Sequence, residues 1–266
     1  MVVFPNAKIN LGLWIVERRP DGYHNLESCF YPVPWKDALE FIESDNTSFS
    51  TSGLPIPGTV ENNLVLKAYD LLKGEHKLPE LHIHLHKQIP MGAGLGGGSS
   101  DAAFFLKAIS NYFDLNLSTE KLVEMAGKLG ADCPFFIENS TRLVKGTGDV
   151  FEPIQLSLEG LWLTLIYPDV HISTGEAFAS ITPGYKEKDL REILSQPVDE
   201  WKGHLTNDFE DYAFQVKPLL RDIKEELYKR GGSYASMSGS GSTLYALSNS
   251  RISTEDLPYL SFSTQL

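Results

Sequence analysis

Five glycines crowd into seven residues of the segment Pro90-Met91-Gly92-Ala93-Gly94-Leu95-Gly96-Gly97-Gly98-Ser99-Ser100-Asp101-Ala102-Ala103. Glycine admits φ > 0 and lets the main chain approach a ligand without interference from a Cβ. A helix beginning after the loop would add free N–H groups and a partial positive charge. Together these make a cradle for phosphate, to which Ser99 and Ser100 can add hydroxyls. A plain strand-to-helix turn rarely needs so many glycines, because each carries an entropic cost. Gly92, Gly94 and Gly97 also satisfy GxGxxG, which keeps an NAD-dependent oxidoreductase as a rival reading. A dinucleotide site, however, needs a second strand ending in an acidic residue about 20 residues on. Here Asp114-Leu115-Asn116-Leu117 leads into another helical pattern instead. No Gly-Lys-Ser/Thr follows the loop, and protein-kinase signatures are absent.

Phosphoryl transfer asks for a carboxylate to orient or deprotonate an acceptor and a cation near the developing charge. Asp132 lies between Gly130 and Pro134 on a constrained turn. Taken alone, a turn Asp is more often solvated or capping backbone. Lys8 sits in an apolar strand context, where a lysine is unusual unless paired, or snorkels from an edge. Asn63 and Lys87 flank the expected adenine pocket by position, and both could equally be surface residues. Ser238-Gly239-Ser240-Gly241 would close over a nucleotide, or could be a hairpin turn. His82, His84 and His86 share a strand face, but no Cys, Asp or Glu within the strand completes a metal set. A solvated face is the preferred reading there, as it is for the charged run from residue 186 to 192, read as a helical face.

These residues need elements to carry them. Ala7 to Glu17 reads as a strand, followed by a turn at Pro20-Asp21-Gly22 and a strand over Ala38 to Ile42. Thr51 to Gly58 reads as a Gly/Pro loop and Asn63 to Lys73 as a helix. Leu81 to Ile89 alternates as a half-buried strand. Ser99 or Ser100 is expected to cap a helix running to about Phe113, and Ser118 the next one, ending at Gly130. Leu161 to Tyr167 is a strongly apolar strand. Helices follow near Thr174 to Ser180 and Asp189 to Ser195, then a long one over Asp208 to Lys229 with a kink at Pro218. Ser233 to Leu247 reads as two strands. Strands and helices mix without steady alternation, so the class is α+β with two domains, residues 1–156 and 157–266.

Composition narrows the partners. The 266 residues carry a net charge of −12 and a pI near 5.0, which argues against nucleic acid. Hydrophobic residues make up 42%, enough for a sizeable core, yet no apolar run approaches the ~20 residues that span a bilayer. Neither a signal peptide nor an internal repeat is evident. The two cysteines, Cys29 and Cys133, form no CxxC pair, which fits a reduced, cytoplasmic protein.

The glycine segment resembles the phosphate motif of the GHMP kinases, the family of galactokinase, homoserine kinase and mevalonate kinase. All three family motifs have counterparts: Pro5-Asn6-Ala7-Lys8-Ile9-Asn10-Leu11, Pro90 to Ala103, and Ser236-Met237-Ser238-Gly239-Ser240-Gly241. The resemblance implies ATP as phosphoryl donor and an N-terminal βαβ-rich domain with a left-handed crossover. It also implies a ferredoxin-like C-terminal domain and a site in the cleft between the two. It gives Asp132 the role of base and Lys8 that of its cationic partner. Pro90 to Ser100, with Asn63 and Lys87, would hold ATP. Mg²⁺ is expected with the nucleotide, held chiefly by phosphates and water, with Ser100 as candidate side-chain ligand. Arg19-Pro20-Asp21-Gly22-Tyr23-His24-Asn25-Leu26 and Gly130-Ala131-Asp132-Cys133-Pro134-Phe135-Phe136 further resemble a member acting on a cytidyl diphosphate sugar alcohol. That implies Tyr23 and Phe178 stacking on cytosine, His24 hydrogen-bonding it, and Asn10, Thr174 and Asp169 nearer the acceptor. Phe178 could equally be a core residue. The chain would be a monomer or weak homodimer. Other alcohol acceptors, or nucleotide binding without catalysis, are the alternatives. Ser236 and Met237 depart from the bulkier or basic residues that often precede the third glycine motif.

Overall fold

A computed structural model describes every residue except 185 and 187. The chain runs β1 (Val2–Val3), β2 (Asn6–Arg18), β3 (His24–Lys36), β4 (Ala38–Glu43) and β5 (Ser48–Gly53). Next come α1 (Leu64–Glu75), β6 (Leu81–Lys87), α2 (Gly97–Tyr112), α3 (Thr119–Leu129) and α4 (Cys133–Glu138). Then follow β7 (Arg142–Lys145), β8 (Val150–Pro153), β9 (Trp162–Tyr167), α5 (Thr174–Ser180) and α6 (Leu190–Leu194). The last elements are α7 (Glu210–Val216), α8 (Pro218–Lys229), β10 (Tyr234–Met237), β11 (Leu244–Ser248) and β12 (Leu260–Gln265).

Two compact units result, and they interleave along the chain rather than dividing once at residue 156. The first contains Met1–Lys8, Pro32–Met91 and Gly96–Ser140; the second contains Ile9–Tyr31, Gly92–Leu95 and Thr141–Leu266.

In the first unit the sheet order is β1-β4-β6-β5. β5 and β6 are parallel and joined through α1, which is the expected βαβ unit. Leu81, Ile83 and Leu85 of β6 are buried. One face of the sheet packs on helices: Phe41 of β4 meets Phe105 of α2 edge-on at 5.7 Å, and Phe105 meets Tyr69 of α1 at 6.4 Å. The other face carries His82, His84 and His86, each bonded to serines of β5, such as His84 Nδ1 to Ser50 Oγ at 2.8 Å. No group of three His, Cys, Asp or Glu is placed to hold a metal among the described residues. The expected loop from Thr51 instead begins as strand, because β5 pairs with β6 as far as Gly53.

In the second unit β10-β11-β9-β12 forms an antiparallel sheet. The first strand lies between the third and fourth, which is the ferredoxin-like order. α8 packs on β10 and β11, and its Leu220, Ile223 and Leu227 share a core with Ala235, Met237, Leu244 and Ala246. The expected long helix is two: Lys217 interrupts it and Pro218 takes the first turn of α8, where its missing N–H is harmless. The charged run behaves differently from expectation. Glu187 lies outside the described residues, helix α6 begins only at Leu190, and Leu190 is buried. Lys186 pairs with Asp208 at 2.6 Å. A second sheet, β2-β3-β7-β8, includes β3, which Pro32 and Pro34 hide in the sequence. Its ladder to β7 uses Ser28–Phe30, ahead of both prolines.

Among the described residues no helix is long and apolar enough to cross a membrane. Burial pushes the Cys29 thiol up to about 12 and the Cys133 thiol up to about 11. Both therefore stay protonated and unreactive near neutrality. Iodoacetamide at pH 8 should leave the native protein unlabelled and add two groups per chain after unfolding, as mass spectrometry would read; rapid native labelling would contradict this burial.

Candidate active site

The glycine loop leaves β6 and turns through three left-handed residues, Gly92 (φ 64°), Gly94 (φ 80°) and Gly96 (φ 68°). Gly96 is the cap of α2, which begins at Gly97 rather than at the expected serine cap. A left-handed glycine ends the loop without a side chain, so no side chain caps the first turn. The amides at the start of α2 therefore remain for an anion. The Ser100 hydroxyl is buried and has no hydrogen-bond partner among the described residues.

The end of this loop lies against the candidate catalytic pair. A Cβ on Gly96 would come within 3.2 Å of Lys8 Cε and 3.0 Å of Phe136. Lys8 Nζ is 3.5 Å from Asp132 Oδ2, with Lys8 enclosed and Asp132 one-third exposed (4% and 33% of the side chains). Lys8 is thus no snorkelling edge lysine. Asp132 precedes α4 but its side chain makes no capping bond, which removes the commonest bland role for a turn aspartate. A nearly enclosed ammonium beside a reachable carboxylate can stabilise negative charge and take up a proton in one place.

Lys87 requires a correction. The surface position that the sequence left open does not hold, because its side chain is 0% exposed and bonded to Asp37 and, at 2.9 Å, to Asp101. Burial pulls the Lys87 ammonium down, and the two carboxylates more than reverse this, leaving it raised. Burial pushes Asp101 up to about 7 against the pull of Lys87, and Asp37 adds to the rise. Asn63 caps α1, its Oδ1 accepting from Val65 N at 2.9 Å.

In the second unit, Ser238 ties the third glycine motif to the loop. Its Oγ donates to Gly94 O at 2.8 Å and accepts from Asn10 N at 3.2 Å. Thr243 N donates to Ala93 O at 3.2 Å. Asn10 is buried, its Nδ2 donating to Ser28 Oγ at 2.9 Å. Thr174 Oγ1 and Ser240 Oγ are 2.8 Å apart, which joins the start of α5 to the same turn. His24 and Phe178 stack with centroids 5.4 Å apart and planes at 23°, and Phe178 meets Phe209 edge-on at 4.8 Å. Phe178 is therefore both a core neighbour and one face of an aromatic pair. Tyr23 stands apart, 67% exposed, beyond a turn in which Gly22 takes φ 89°. Asp169, at φ 54°, accepts from Tyr167 at 3.0 Å.

Two residues escaped sequence reasoning. Asn207 Nδ2 donates to Met237 O at 2.7 Å and to Gly239 O at 2.8 Å, while Glu210 Oε1 accepts from Met237 N at 2.9 Å. Both hold the third motif from behind. The polar residues Asn207, Asp208 and Glu210 around Phe209, in a chain stretch otherwise read as helix, were the available signal.

Comparison with known proteins places these features. The N-terminal domain profile of the GHMP kinases matches residues 63–139, and the C-terminal profile matches residues 189–256. The curated 4-diphosphocytidyl-2-C-methyl-D-erythritol kinase of Cytophaga hutchinsonii is 49% identical over 96% of this chain and 94% of its own. The Bacteroides thetaiotaomicron protein of the same name is 54% identical over 93% of this chain and 92% of its own. A crystal structure of 4-(cytidine 5'-diphospho)-2C-methyl-D-erythritol kinase superposes with a TM-score of 0.79 at 30% identity, over 93% of this chain and 90% of that one. A crystal structure of L. major mevalonate kinase shares the fold alone, at 17% identity and TM-score 0.70, over 100% of this chain and 95% of that one. α2 leads into α3 with no second strand between them, so the dinucleotide reading of the glycines fails. On its three motifs, its two matched domains and its near-complete coverage by relatives at about half identity, the chain belongs to the GHMP kinases.

Proposed function

We propose that this chain transfers the γ-phosphoryl group of ATP to the 2-hydroxyl of 4-diphosphocytidyl-2-C-methyl-D-erythritol, a step of non-mevalonate isoprenoid precursor biosynthesis. The observation that carries this reading is the Lys8–Asp132 pair at 3.5 Å, with Lys8 against the loop end that opens α2. In the transfer the acceptor oxygen bonds to the γ-phosphorus as the bond to the β–γ bridging oxygen breaks. ADP leaves, and the hydroxyl proton passes to the Asp132 carboxylate. Lys8 faces that carboxylate and offsets charge on the acceptor oxygen. The amides of Gly97, Gly98 and Ser99 receive phosphate oxygens, an arrangement suited to catalysis that is mostly positioning.

Magnesium fits this arrangement: Ser100 would be its side-chain contact, and with ATP bound the ion would neutralise phosphate charge. That hydroxyl's lack of a partner supports the assignment. For the acceptor, the aromatic pair His24–Phe178 together with Tyr23 would receive the cytosine ring, and Asn10 and Thr174 the polyol phosphate end. The same reading gives nucleotide binding to residues 1–156 and divides the acceptor contacts between Asn10, Tyr23 and His24 in that part and Thr174 and Phe178 in residues 157–266. It places the reaction in the cytoplasm, performed by a monomer or weak homodimer, in keeping with two buried free thiols.

A substrate screen with ATP and Mg²⁺ tests it. ADP should appear with the cytidyl-erythritol diphosphate and not with mevalonate, homoserine or galactose. Comparable turnover of another acceptor would refute the substrate and leave the kinase class standing.

A further inference from the structure

Three charged side chains, Asp37, Lys87 and Asp101, are enclosed together, each between 0% and 2% exposed. Each comes from a different element. Asp37 lies between β3 and β4, Lys87 ends β6, and Asp101 is in the second turn of α2. Asp37 Oδ1 accepts from two successive amides, Gln88 N at 2.6 Å and Ile89 N at 2.9 Å. These are the residues by which the chain enters the glycine loop. Its own N–H donates to Pro5 O at 2.9 Å, just ahead of the strand bearing Lys8. Lys87 Nζ bonds Asp37 on one side and Asp101 on the other, so it joins the entry of the loop to the helix on which the loop ends. It also lies 3.1 Å from where a Cβ of Gly97 would stand. The ammonium is therefore packed directly beneath the first residue of α2. Asp101 is about 6 Å further along that helix, from its rise per residue.

A buried ion cluster is in general weak evidence for stability. A well-packed apolar cluster of the same volume is often as stable or more so. What ions and hydrogen bonds supply that methyl groups do not is direction. We propose that Lys87, held by Asp37 and Asp101, is the positioning residue of the nucleotide site: it locks the two stems of the glycine loop in one register and so aims the amides at the start of α2. This rests on reading those amides as the phosphate site. Lys87 touches no substrate and acts through the backbone of Gln88, Ile89 and Gly97. The trio belongs to the first unit throughout, so its effect falls on the nucleotide and not on the acceptor.

The test compares wild type with Lys87→Met/Asp101→Asn, in which the cation and the carboxylate that depends on it are removed together. Calorimetric titration with a non-hydrolysable ATP analogue gives nucleotide affinity, and steady-state kinetics give both KM values. The double variant should bind nucleotide about tenfold more weakly, because small misplacements of binding groups carry effects of this size. Its acceptor KM should stay within twofold and its melting temperature near wild type. Unchanged nucleotide affinity overturns the inference, as does an equal rise in both KM values. Should the double variant not fold, Asp101→Asn alone decides. It frees one stem while sparing the Lys87–Asp37 pair, and it should weaken nucleotide but not acceptor; no change refutes the role. If wild type itself binds no nucleotide, the proposed function falls and this inference with it.

Discussion

Asp132→Asn is expected to lower kcat about 10³-fold, the range a positioned proton acceptor contributes. The amide keeps the size and one acceptor oxygen of the carboxylate, so the nucleotide site should persist and analogue affinity should stay within a factor of a few. The fold should persist too. Asp132 is one-third exposed and makes no capping bond, so its loss deprives the structure of little. Single-turnover kinetics with saturating ATP would isolate the chemical step. A variant that retained more than a tenth of wild-type kcat would remove Asp132 from the chemistry. One that lost nucleotide affinity in proportion would make it a structural residue instead.

Gly94→Ala should be the most damaging single methyl in the molecule. A Cβ there would stand 1.9 Å from Ser238 O and 2.8 Å from Ser238 C, both backbone atoms that no rotamer change can move aside. The residue also holds φ 80°. Left-handed strain alone costs about 1–2 kcal/mol for a residue with a Cβ. The overlap adds to that by forcing apart the Ser238–Gly94 bond. The total should exceed about 3 kcal/mol in urea unfolding, the range of severe single substitutions, and activity should be nearly abolished. Gly92→Ala is the control. Gly92 shares the left-handed backbone at φ 64°, but a Cβ there meets nothing within 4 Å. It should show the strain without the collision. Equal stability losses in the two variants would mean that contact with the third motif does not constrain the loop.

How much of this was legible in the sequence varied with the range of the interaction. The loop was, because five glycines in seven residues have few other uses. Lys8 and Asp132 could be named from motif resemblance, yet composition could not say that two residues 124 positions apart in the sequence fold to lie at 3.5 Å. Lys87 was misjudged because its meaning depends on Asp37, 50 residues away, and on a carboxylate in the helix beyond the loop. The start of α2 was misplaced by three or four residues because serine is the better statistical cap, whereas here a left-handed glycine closes the loop. β3 was overlooked because two prolines argue against a strand, and its ladder to β7 lies upstream of them. His24 was expected to hydrogen-bond the base; that it also stacks with Phe178 required β3 and α5 to be placed first.

The interleaved chain also has a consequence for how the protein is made. The first unit is complete once Ser140 has been synthesised, but Ile9–Tyr31 belongs with residues near the other terminus. Tyr245, for example, donates its hydroxyl to Asn10 O across 235 positions. An early segment must therefore wait, unsatisfied, for the final third of the polypeptide to leave the ribosome. Closing so wide a loop late favours slow acquisition of the native state. It also leaves a nascent intermediate with the outer edge of β2 open until Leu13 can pair with Thr206 and Asp208, the kind of surface that chaperones hold.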